Sequence, residues 1–358
     1  MKQYDFFEKG FTYPAIESLV RPKDMTLSIT HDGRVDPLPF LHDVTMAALD
    51  HTIFEAWYNS TSAEICGSSL IRGRYSRDGG AKWSEPFCVV GEAGQGETHF
   101  VPADFFTHNN RLYSLVTTMT GKNMTVNLQL YRQRTDPMEP WECLGKVSEG
   151  FICNTPPQQM ENGCYIVGAW MPKKEKTPAF PVVLISDGQE IQHPWRCVFL
   201  FDPLHPLAPR IRCPEITVLP QGHRLTAFVR NDEGPSYVFE SDDLGESWSE
   251  PMVNTAPIGN SKIFTGRLSD GRPYAVYNQE MGYFIRSLLV LAVGDPHSGR
   301  MNRVYRLFSN YEEELGRGSI WFYPCACEVD GSLCIGATLQ EPSGVRSAVM
   351  AKVPISSL

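Results

Sequence analysis

The sequence predicts an all-β fold: a six-bladed β-propeller of four-stranded antiparallel blades, closed by a strand from the N-terminal segment. Three observations carry this expectation. An eleven-residue turn motif occurs twice, five Asp-centred turns recur at near-constant spacing, and six polar hairpin turns interleave with them.

The motif reads S-x-D-x-G-x-x-W-S-E-P. It runs from Ser76 through Asp78, Gly80 and Trp83 to Pro86, and again from Ser241 through Asp243, Gly245 and Trp248 to Pro251. Its chemistry is that of a tight turn between strands. The Asp accepts hydrogen bonds from turn amides, the Gly takes a left-handed backbone position, and the Trp plugs the turn onto the blade. A degenerate copy stands at Asp136 with Trp141, and weaker turns at Asp187 and Asp295, so the five Asp positions are separated by 58, 51, 56 and 52 residues. The interleaved series is Asp50-His51, Asn109-Asn110, Asn162-Gly163, Gln221-Gly222, Asp270-Gly271 and Asp330-Gly331, spaced 49 to 60 residues apart. Such dipeptides between apolar runs are hairpin signals. One repeat therefore reads strand, hairpin, strand, strand, Asp turn, strand, which is a propeller blade. The sixth hairpin is followed by only 27 residues, too few for an Asp turn and an outer strand. The N-terminal segment, residues 1–35, is expected to supply that strand from within 11–31 and so remove an open sheet edge. The whole of 1–358 is read as one domain.

Composition narrows the function classes. The formal net charge is −9 and no run of Lys or Arg occurs, so neither a nucleic-acid surface nor a membrane surface is expected. The opening MKQYDFFEKGFTYP lacks the apolar stretch of a secretory signal, and the ten cysteines show no disulfide-framework spacing. The expectation is a cytoplasmic protein with reduced thiols. Cys325-Ala326-Cys327 has no second pair at zinc spacing, so no metal and no cofactor is expected.

The first strand of each blade enters at one rim. Counting back seven or eight residues from each hairpin places His42 or Asp43, His99, Thr155, Glu215, Lys262 and Tyr323 there. Arg230, at the end of the second strand of blade 4, and Arg286, at the start of the third strand of blade 5, are candidates for a carboxylate clamp, because a guanidinium meets a carboxylate with two parallel hydrogen bonds. Arg72 and Arg74 are further candidates. Trp57, Trp170 and Trp321 lie near strand ends, where they either stack on a sugar or pack in the core.

The two intact motifs, with Pro214-Glu215, Arg230, Arg267 to Arg272, Tyr277-Asn278, Arg286-Ser287-Leu288 and Tyr323-Pro324, resemble the sialidase superfamily of Asp-box propellers over roughly residues 40–350. The resemblance implies a Tyr nucleophile at Tyr323, its Glu partner at Glu215, and two of three carboxylate-binding arginines at Arg230 and Arg286. The implied ligand is an acidic carbohydrate. The position of the family's first arginine reads Leu41-His42-Asp43-Val44, with His42 in the arginine's place. The acid/base stays open among Asp43, Glu64 and His42. His99, Lys262, Trp57 and Trp170 complete the candidate binding residues. Three functions follow: a hydrolase removing an acidic sugar, a lyase or uronate-specific hydrolase using His42 and His99 with Tyr323, and a non-catalytic carbohydrate-binding propeller.

Overall fold

The computed structural model describes residues 1–64, 69–91, 97–120, 125–172, 179–279, 286–310 and 317–358. It is an all-β six-bladed propeller, and each blade is built on four antiparallel strands. Two compact units carry the blades. One comprises residues 24–156 and 323–356 and holds blades 1, 2 and 6; the other comprises 1–23, 157–322 and 357–358 and holds blades 3, 4 and 5.

In the first unit, blade 1 runs Phe40–Leu49, Thr52–Ser60, Leu70–Ser76 and Phe87–Val90, and blade 2 runs Thr98–His108, Arg111–Thr120, Thr125–Arg132 and Glu142–Glu149. Blade 6 runs Ile320–Val329, Ser332–Gln340 and Arg346–Pro354, and its outer strand is Thr26–His31. That outer strand pairs antiparallel with Arg346–Pro354, as expected from the short C-terminal tail, and it ties the start of the chain to its end. In the second unit, blade 4 runs Ile216–Gln221, Arg224–Val229, Tyr237–Ser241 and Met252–Asn254, and blade 5 runs Phe264–Arg267, Pro273–Asn278, Leu288–Gly294 and Met301–Ser309. Blade 3 includes Gln158–Gln159, Tyr165–Met171, Phe180–Ile185 and Arg196–Phe199.

One element is absent from the sequence expectation. Gln3–Tyr4 adds a fifth, parallel strand to blade 4, anchored by Tyr4 and Phe6 packing edge-on against Phe228. A two-residue strand has no alternation to read.

The hairpins and Asp turns fall within a residue of where the repeat places them; the hairpins of blades 3 and 5 turn on Glu161-Asn162 and Ser269-Asp270, one residue earlier than expected. The blade 4 hairpin turns on Gly222-His223, one residue later than expected. In the intact motifs Ser76 and Ser241 share the work with the Asp. The Gly80 amide donates to Ser76 Oγ at 2.8 Å and the Gly245 amide to Ser241 Oγ at 2.9 Å. Asp78 Oδ1 accepts from the Lys82 amide at 2.8 Å and Asp243 Oδ1 from the Ser247 amide at 2.9 Å. Gly80 and Gly245 take the left-handed conformation with φ of 93° and 86°. Trp141 of the degenerate copy is buried in a stack with Phe87 and Phe105.

Within a unit, neighbouring blades meet through their first strands. The Phe105 amide donates to Thr45 Oγ1 at 2.9 Å, and the hydroxyls of Thr217 and Thr265 lie 2.9 Å apart. Gly168 allows blade 3 to approach blade 4, since a Cβ there would lie 2.5 Å from the carbonyl oxygen of Ile216.

Candidate functional site

Antiparallel pairing brings Glu215 and Arg230 together. Ile216 faces Val229 in the register of blade 4, so the residues just outside the pair oppose each other. The Arg230 amide donates to the Glu215 carbonyl at 2.9 Å, and one guanidinium nitrogen donates to Glu215 Oε2 at 2.6 Å. Arg230 Nε donates to Asp232 Oδ1 at 2.9 Å. Glu215 and Arg230 are buried and Asp232 is partly open, so one guanidinium is held between two carboxylates. Asp232 was not singled out from the sequence; its signal is the i, i+2 spacing from Arg230, which puts both side chains on one side of an extended segment.

Arg286 stands two residues ahead of the strand Leu288–Gly294, in the left-handed region with φ of 68°. Its guanidinium lies 5.1 Å over the Phe322 ring, and its carbonyl accepts the Trp321 amide at 2.9 Å. Asn278 Nδ2 donates to the Trp321 carbonyl at 2.8 Å, so the segment under the guanidinium is fixed from two sides.

A second cluster forms in the unit of blades 1, 2 and 6. The first strand of blade 1 is bulged between His42 and Thr45, with Asp43 left-handed at φ of 55°. His42 faces Tyr58 across the strand pair, its ring centroid 5.8 Å from that of Tyr58 and 4.4 Å from that of Tyr323. Tyr323 is itself left-handed, with φ of 56°. A non-glycine residue in that region costs of order 1–3 kcal/mol and persists only where its surroundings enforce it. Burial raises the Tyr58 phenol pKa far above its ordinary value, reinforced by Glu64 and Asp43 and opposed by Arg346. Tyr58 is thus a permanent neutral phenol, and Glu64, Asp43, Arg346 and Tyr323 all lie within its electrostatic reach. Arg346 stacks 4.2 Å over Phe40 and donates from Nε to Gln340 at 2.9 Å. Tyr58 and Arg346 were missed in the sequence because neither carries a motif; Tyr58 reads as an ordinary aromatic strand residue. His99, on the first strand of blade 2, is buried, and burial lowers its imidazole pKa and favours the neutral form. Thr155 is buried in the same unit.

Several expected binding residues lie elsewhere. Trp57 has no exposure: it stacks on His31 and donates to Asn59 Oδ1 at 2.6 Å, so it packs the core and offers no face to a sugar. Trp321 is likewise buried, stacked on Phe308. Lys262 is buried, 1% exposed. Trp170 is half-buried opposite Pro181. Arg72 pairs with Asp36, which also holds His31, and donates to Asn59 at 2.9 Å; this network fastens the segment leading into blade 1. Arg74 lies within electrostatic reach of the buried Glu55.

The model of the BNR repeat-like domain matches residues 54–316. The chain belongs to this family. Among solved structures, a sialidase of Trypanosoma rangeli bound to sialic acid is similar at a TM-score of 0.70 and 12% identity, covering 94% of this chain and 60% of that one. The NanB sialidase of Streptococcus pneumoniae is similar at a TM-score of 0.67 and 13% identity, covering 92% of this chain and 71% of that one. A protein of unknown function from Dyadobacter fermentans is similar at a TM-score of 0.70 and 12% identity, covering 94% and 99% of the two chains. No curated protein matches the sequence. At these identities the likeness shows the fold. This BNR repeat-like chain has a propeller fold like that of the sialidases, and it spans 60% of the length of the Trypanosoma enzyme.

Proposed function

We propose that this protein is a glycoside hydrolase that removes an acidic sugar, sialic acid or a relative, from a glycan. The observation that carries the reading is the left-handed Tyr323 set against His42 beside Asp43, a phenol on a strained backbone in a cluster rich in proton-transfer groups. In this reading Tyr323 attacks the anomeric carbon and Glu215 takes the phenol proton. A tyrosine is the nucleophile suited to an anionic substrate, since an attacking carboxylate would be repelled by it. Arg230 and Arg286 bind the sugar carboxylate. His42 or Asp43, with Glu64 as the remaining acid/base candidate, protonates the leaving oxygen as the glycosidic bond breaks, then takes a proton from the water that cleaves the glycosyl–Tyr323 bond and frees the sugar. The Trypanosoma sialidase has been solved with 2,3-difluorosialic acid as a covalent intermediate, which supports a covalent route on this fold.

His99, held neutral by burial, and His42 at Tyr323 also favour a second reading, in which a histidine abstracts the proton α to a uronate carboxylate. The two are separated by assaying a fluorogenic sialoside, fluorogenic uronides and uronate-containing polysaccharides with wild-type protein and Tyr323→Phe. Fluorophore release lost in Tyr323→Phe supports the hydrolase. Ultraviolet absorbance from an unsaturated product, lost on changing His42 or His99, supports the lyase. Glycan binding without either reaction overturns both.

A further inference from the structure

The hairpin end of blade 2, opposite the end that carries His99, holds a cleft of about 480 Å³ that plays no part in the proposed chemistry. It is lined by Arg111, Arg132, Arg134, Gln133, Glu139 and Glu142 over a floor that includes Leu49 and Leu112. The ladder explains the convergence. Arg132 faces Tyr113 and also Glu142, and the Gln133 amide donates to the Leu112 carbonyl at 3.0 Å. The pairing thus runs one step past the strand and brings Arg134 alongside Arg111.

Only Arg132 is neutralised directly, by Glu142 at 2.6 Å. Its hydrogen bond holds the Glu142 carboxyl below the usual range, and Arg134 and Arg111 add to the effect through space. Among the described residues the side chains of Arg111 and Arg134 form no hydrogen bond or salt bridge, and Gln133 Nε2 is buried with no partner. Two uncommitted guanidiniums and an unsatisfied amide donor therefore meet in one concavity of a protein whose net charge is −9. A buried donor left without an acceptor is unfavourable, and a ligand oxygen placed there would satisfy it.

We infer that this cleft is a binding site for an acidic sugar, a monosaccharide unit carrying a carboxylate or sulfate. The guanidiniums clamp the oxyanion. Gln133 and the two carboxylates satisfy ring hydroxyls, which a bare anion lacks, and the leucines take the apolar face of the ring. The volume lies within the range of small-molecule sites. The inference does not depend on the activity proposed above.

The test is hydrogen-exchange mass spectrometry and calorimetry on the full chain with glucuronate, N-acetylneuraminate, N-acetylglucosamine 6-sulfate, glucose and inorganic sulfate. Protection of residues 109–116 and 130–142 by one or more of the acidic sugars, and not by glucose, is the expected result. The arms show whether carboxylate or sulfate is the group held. Arg111→Gln/Arg134→Gln, with its fold checked by circular dichroism, should lose this binding by at least tenfold. No protection of these segments, or equal affinity in the double variant, overturns the site. Inorganic sulfate binding as tightly as every acidic sugar overturns the sugar assignment.

Discussion

At the scale of single residues, four non-glycine positions outside the hairpin and Asp turns take the left-handed backbone close to candidate site groups: Asp43, Cys213, Arg286 and Tyr323. Two are candidate catalytic residues, one is a candidate clamp, and one lies two residues before Glu215. Their coincidence ties strain to the site rather than to ordinary turn chemistry. Glycine relieves such strain where alanine does not. Asp43→Gly and Asp43→Ala both remove the carboxylate, and urea unfolding should find the glycine variant more stable by about 1 kcal/mol. Equal midpoints would show that the backbone there is not strained. This feature had no sequence signal, since Leu41-His42-Asp43-Val44 reads as continuous strand.

Glu55 is a second residue-scale case. It is fully buried on the second strand of blade 1, near Thr30 and Arg74, and burial pushes its carboxyl from 4.5 up to about 8. The folded chain therefore keeps a proton that the unfolded chain releases. The stability from this site is complete below about pH 4.5 and is lost as pH rises towards about 8. Glu55→Gln should flatten that decline when urea midpoints are compared between about pH 5 and about pH 9. A wild-type protein equally stable across that range would contradict the buried proton.

At the scale of elements, the Asp turns fasten the third strand of a blade to its fourth. The two intact copies have matching hydrogen bonds although they lie in different blades. Asp243→Ala should cost about 1–3 kcal/mol, by leaving the Ser247 amide and the Ser241 and Ser247 hydroxyls without their acceptor. The same change at Asp295, whose turn has no Trp plug, should remove fewer contacts and cost less; the reverse order in thermal melts would contradict the staple role. Gly168→Ala should destabilise by about 1–3 kcal/mol, because the added methyl meets the backbone of blade 4. These elements were legible in advance because turn chemistry is local. The bulge at His42, the parallel strand Gln3–Tyr4 and the burial of Trp57 and Lys262 were not, because each is decided by what packs against the residue rather than by its neighbours in sequence.

At the scale of the whole molecule, repeat counting predicted blade number and the closing strand, since a propeller leaves an unpaired edge unless its last blade is completed. Thr26–His31 fills that place against Arg346–Pro354. The residues proposed for chemistry were legible as a set only through the family resemblance; the structure adds the Glu215–Arg230–Asp232 network in one unit and the Tyr323–His42–Tyr58 cluster in the other. The central claim is that Tyr323 forms a covalent bond to an acidic sugar. It is tested most directly by intact-mass and peptide-mapping mass spectrometry after incubation with 2,3-difluorosialic acid and fluorinated uronic acid donors. The expected result is a single glycosyl adduct on the peptide containing Tyr323, absent from Tyr323→Phe. An adduct on another residue, or steady turnover of an acidic glycoside with no adduct on Tyr323, would contradict it.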